Sequence, residues 1–71
     1  MTQDARKMAL DGIRITLEAM IEKLIERERV TGLGREYRQG KLNGMLEGLE
    51  MAGAITHEEA NDLYDQVYEM I

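Results

Sequence analysis

The sequence predicts an all-α fold of three helices, at about residues 2–30, 35–52 and 57–70, with the long first helix packed on a helix 2–helix 3 hairpin. Three observations lead there. Apolar residues recur every three or four positions through most of the 71 residues, and no alternating strand pattern competes. Glycine-containing breaks fall at Thr31-Gly32-Leu33-Gly34 and at Ala52-Gly53-Ala54. With no Pro, Cys, Trp or Phe and six Met, the chain can build only an aliphatic, adaptable core. Residues 1–71 make one helical domain, near the size at which a single core is marginal.

Thr2 is the expected cap of the first helix, with Asp4 in its first turn complementing the helix dipole. At about 100° per residue, Leu10, Ile13, Leu17, Met20, Ile21 and Leu24 share one face. Ala5, Ala9, Gly12, Thr16 and Ala19 fall beside them as a second seam of small residues, and Asp11, Arg14, Glu18, Glu22 and Arg29 take the remaining side. The combined apolar and small arc spans about half the circumference, wider than the stripe of about 100° that one neighbour requires. Two partners are implied: the rest of the chain and a second copy. Gly32 or Gly34 is expected to close the helix in a left-handed conformation.

In the second helix Leu42, Met45, Leu46 and Leu49 face the core. Gly40, Gly44, Gly48 and Ala52 form a run of small residues every four positions, with Tyr37 and Met51 as rims. Each interior glycine costs a helix about 1 kcal/mol relative to alanine, in a domain whose net stability is about 5–15 kcal/mol. Close approach of another backbone is the natural reason to keep them. Gly53 ends this helix. Thr56-His57-Glu58-Glu59 then forms a capping box, and Ile55 is placed to staple onto Ala60 or Leu63. The third helix buries Ala60, Leu63, Tyr64, Val67 and Ile71, and exposes Glu58, Asp62, Asp65 and Glu69.

A leucine-spaced helix, then Ala52-Gly53-Ala54-Ile55-Thr56, then Glu58-Glu59 and a spaced apolar helix give residues 42–71 a resemblance to the short helical hairpin of the SHOCT (short C-terminal) family. That resemblance implies an oligomerisation or interaction module without catalysis. The chain departs from the family in its glycine stripe and in lacking the basic residues that such second helices often carry.

Charge divides the chain. Residues 1–41 hold all nine Lys and Arg against seven acids, a net +2, whereas residues 42–71 hold seven acids and no base. Glu58, Glu59, Asp62, Asp65 and Glu69 are a candidate acidic surface for a basic partner, alongside the simpler reading of a solvated face. Arg27, Arg29, Arg35, Arg38 and Lys41 surround the first turn and form a candidate basic patch, diluted by Glu26, Glu28 and Glu36. Arg27, Arg29 and Arg35 can instead pair with acids of the third helix. A helix-turn-helix reader over residues 49–68 would face phosphate with Glu58, Glu59, Asp62, Asp65 and Glu69 and no base, so nucleic acid is not an expected partner.

His57 is the single histidine and reads as an exposed first-turn residue. No metal site is expected, because nothing converges on it as a second ligand. With no Cys, no Ser and no second His there is no relay for nucleophilic catalysis, and no enzyme, cofactor or small-molecule substrate is expected. No apolar run approaches the roughly 20 residues of a membrane helix, and the first residues lack a signal-peptide core. A cytoplasmic setting, without membrane contact, is expected.

The sequence therefore predicts a homodimerising, non-catalytic interaction or regulatory module. The glycine stripe receives either helix 1 of the same chain, through its small seam, or a helix of a second copy or of a protein partner. The alternatives are a small acidic inhibitor of a nucleic-acid-handling protein, in the manner of phage or mobile-element proteins, and an accessory protein binding nucleic acid through the basic patch.

Overall fold

A computed structural model describes residues 3–71 as three helices: α1 (Gln3–Thr31), α2 (Arg35–Met51) and α3 (His57–Tyr68). Thr2, the expected cap of α1, lies outside the described residues. At 1.5 Å per residue the 29 residues of α1 run about 43 Å. That matches the longest dimension of the molecule, 43 × 19 × 18 Å. α1 is the spine, and α2 and α3 pack on it and on each other.

The two turns follow the glycines. Gly32 adopts φ +71°, and its amide donates to the Glu28 carbonyl at 2.9 Å, closing α1. Gly34 is not a left-handed cap; at φ −107° it sits at the N-cap of α2. Gly53, at φ +77°, lets Ala54 N–H reach back to the Leu49 carbonyl. Thr56 and Glu59 form the capping box of α3: Glu59 N–H donates to Thr56 Oγ1 at 3.1 Å, and Thr56 N–H to Glu59 Oε1 at 2.8 Å.

The core is one aliphatic cluster of Leu17, Ile21, Leu42, Leu46, Ile55, Ala60, Leu63 and Val67. Ile55, which precedes the cap, is buried there with Ala60 and Leu63, so the turn is anchored from below. Tyr64 and Ile71, expected in the interior, are half-buried at its edge, as is Leu49. Met45 differs more: it is 41% exposed and stands between the core face of α2 and the glycine stripe.

Polar contacts hold the start of α2 to the end of α3. Gln39 donates to the Tyr64 hydroxyl and Arg35 to the Tyr68 hydroxyl, each at 2.9 Å, and the two tyrosine rings meet tilted at 36°, their centres 5.5 Å apart. Arg38 pairs with Glu28 of α1 and donates to the Ile71 carbonyl at 2.6 Å, linking all three helices at one end.

Candidate functional site

The glycine stripe is open. Gly40, Gly44 and Gly48 are all exposed, and a Cβ built on any of them would meet nothing within 4 Å beyond its chain neighbours and the backbone of its own helix. This removes the first of the two alternatives for the stripe, that helix 1 of the same chain packs on it. α1 meets α2 through its leucine face, about 150° around the helix from the glycines, so the missing side chains serve no contact within the chain. Tyr37, Gly40, Lys41, Gly44 and Met45 line a shallow groove there, with Glu36 at one end. The Lys41 ammonium sits 5.7 Å from the centre of the Tyr37 ring. Ala52 continues the line as the C-cap of α2, and Met51, the expected far rim, projects into solvent at 81% exposure.

The small seam of α1 is open as well. Ala5, Ala9, Gly12, Thr16 and Ala19 are exposed, and Thr16 turns its hydroxyl inward to the Gly12 carbonyl at 3.0 Å. Ala9, Gly12, Ile13, Thr16 and Leu17 form one wall of a second groove whose other wall is Met45 and Leu49 of α2. Met45 thus borders both grooves. Reading the sequence for its inner face left out Met8 and Ile15, which are 74% and 59% exposed on α1. Their signal is a second run at residues 5, 8, 12, 15 and 19, spaced alternately by three and four.

The acidic residues divide in two. Glu58, Asp62 and Asp65 of α3 and Glu69 at its C-cap lie exposed along one ridge and enter no ion pair among the described residues. Glu59 does not belong with them. Arg6 of α1 grips its carboxylate, Nε donating to Oε2 at 2.9 Å, and also donates from Nη2 to the Ala54 carbonyl at 2.9 Å. Arg6 was legible only as a position in register with Leu10, Ile13 and Leu17.

The hydrogen bond from Arg6, and then that from the Thr56 amide, hold the Glu59 carboxyl at about 2, well below its ordinary 4.5. A carboxylate lowered in this way stabilises the fold fully above its unfolded value and stops doing so as pH falls toward its folded one. Chemical denaturation is therefore expected to show stability declining from about pH 5 toward pH 2, with a shallower decline in Glu59→Gln. Equal slopes in the two proteins would remove Glu59 as the cause.

Three members of the candidate basic patch are engaged by groups of the chain itself. Arg38 is committed to Glu28 and the Ile71 carbonyl, and Arg35 to Tyr68, whose ring centre lies 5.8 Å from its guanidinium carbon. Lys41 lies over Tyr37, Arg27 lines a separate crevice with Ala19, Met20 and Lys23, and Arg29 is exposed. Arg35 does reach helix 3, but meets a tyrosine there and not an acid. His57 is 77% exposed, with Nδ1 2.9 Å from Glu50 Oε1. Among the described residues no three His, Cys, Asp or Glu gather to hold a metal ion, and no helix is long and apolar enough to cross a membrane.

What the geometry offers is apolar, side-chain-poor helix surface on α1 and α2, with a carboxylate ridge on α3. No family model matches the chain, and no curated protein or solved structure matches it either, so the likeness of residues 42–71 to the SHOCT hairpin rests on the residues quoted for it above.

Proposed function

We propose that this protein is a non-catalytic interaction module that self-associates through the small-residue seams of α1 and α2. The observation behind this is the open stripe of Gly40, Gly44 and Gly48, where an added Cβ would meet nothing within 4 Å beyond its own helix. A helix that gives up about 1 kcal/mol at each of three positions, for no contact of its own, has a surface shaped for something else. A helix stripe without side chains lets another helix approach closely over several turns. A chain without cysteine suits a reducing, cytoplasmic setting.

Sedimentation equilibrium tests this. The wild type is expected at a multiple of its 8.1 kDa chain mass. Ile15→Glu combined with Gly44→Leu blocks both seams at exposed positions, and is expected to give a monomer of unchanged helicity. A wild type that stays monomeric up to about millimolar concentration, where even weak pairs form, would overturn the proposal.

The ridge of Glu58, Asp62, Asp65 and Glu69 favours a second reading, an acidic inhibitor docking on the basic surface of a nucleic-acid-handling protein. That reading predicts no change in target binding from the double substitution, which leaves α3 untouched.

A further inference from the structure

We infer that α2 pairs in parallel with α2 of a second copy, crossing at Gly44, with Lys41 of each copy set against Glu36 and Glu47 of the other; the inference rests on the self-association proposed above. The outer face of α2 points directly away from the core. The buried Leu42 and Leu46 each lie two positions from Gly44, about 160° around the helix. Neither α1 nor α3 stands in front of that face.

Tyr37, Gly40, Gly44, Gly48 and Met51 follow its centre, at spacings of three, four, four and three. Read from either end the order is the same: a large residue, three glycines, a large residue. Such a surface fits a copy of itself, as a two-fold interface requires. Helices that pack along rows of every fourth residue cross at about 40–50°, so the backbones come closest at Gly44. Tyr37 and Met51 stand about 10.5 Å along the axis from that point, where the crossing has carried the two helices about 8 Å apart sideways. Their side chains fill the wedge that opens there.

Charge selects the occupant and its direction. Lys41 lies about 60° to one side of Gly44, whereas Glu47 and Glu36 lie about 60° and 80° to the other. All three are exposed, and none enters an ion pair among the described residues. One helix thus carries both halves of a complement, which points to a second copy. A two-fold axis running along the helices brings the Lys41 side of each copy against the Glu36 and Glu47 side of the other. An axis running across them sets each side against itself, lysine to lysine and carboxylate to carboxylate. In the parallel pair Lys41 falls between the second copy's Glu36 and its Glu47, where flanking charges fix the direction of paired helices.

Sedimentation equilibrium and native mass spectrometry test this. Gly44→Leu is expected to give a monomer of unchanged helicity. Lys41→Glu is expected to weaken the dimer about tenfold, because two symmetric contacts are lost. Adding Glu36→Lys and Glu47→Lys to it reverses both sides and is expected to restore the dimer. This triple variant is expected to pair with itself and not with the wild type, since mixed parallel pairs set like charges together. Preferential pairing of the triple variant with the wild type would establish an antiparallel pair and overturn the inference. A dimer that survives Gly44→Leu and is lost in Ile15→Glu would also overturn it, leaving self-association through α1 in place. A wild type that is monomeric throughout overturns both.

Discussion

Replacing Gly40, Gly44 and Gly48 together with alanine is expected to raise the melting temperature of the dilute protein by on the order of 10–20 °C. Each substitution recovers about 1 kcal/mol of helix propensity, partly by narrowing the unfolded ensemble. The gain is available because all three positions have helical backbone and room for a methyl group, with nothing within 4 Å of the new carbon. Against a total of about 5–15 kcal/mol, roughly 3 kcal/mol is a large fraction. Circular dichroism melts at a concentration where the chain is monomeric measure this directly. A fall in melting temperature would show that a surface lies against the stripe in the folded protein, contrary to the open geometry described above. Gly53 is a different case: at φ +77° an alanine is strained, and the same substitution there is expected to destabilise.

Leu42→Ala is expected to lower stability by about 2–5 kcal/mol, enough to unfold much of the population at room temperature. Leu42 is 0% exposed, within the cluster formed with Leu17, Ile21, Leu46 and Val67. The lost methyl groups leave a cavity that the three helices can close only by shifting, and the end of α2 is already fixed to α3 by Gln39–Tyr64 and Arg35–Tyr68. Urea titration is expected to show a large drop in midpoint with little change in slope. Met51→Ala, at an 81% exposed position, is the matched control and should leave the midpoint where it was. A loss in the control equal to that in Leu42→Ala would mean that the core had been misplaced.

The helices were legible because their signals are local. Alternating three- and four-residue spacing placed Leu17 and Ile21 on the inner face of α1, and Leu42 and Leu46 on that of α2. Thr56 and Glu59 announced the start of α3 through hydrogen bonds that span only three residues. Gly32 and Gly53 marked the turns, although the sequence left Gly32 and Gly34 as equal candidates for the left-handed position.

Long-range pairings were not legible in the same way. Arg6 meets Glu59 across 53 positions of sequence, and no spacing rule connects them. The contact also moved Glu59 out of the acidic surface to which its neighbours Glu58 and Asp62 belong. Arg35 and Arg38 looked like members of a basic patch until the end of α3 was folded back on them, with Tyr68 and the Ile71 carbonyl within reach.

By itself the sequence determined the three helices and the two turns between them, which face of each is apolar, and that three glycines lie within α2; α2 ends at Met51 and α3 at Tyr68, one and two residues short of the expected ends. Those properties follow from backbone conformation and side-chain period, which act over a few residues. Only the tertiary structure decided that neither small-residue seam is covered within the chain. The leucines of α2 bury more apolar area against α1 than its glycines can offer, so packing turned the glycine stripe outward and left it uncovered.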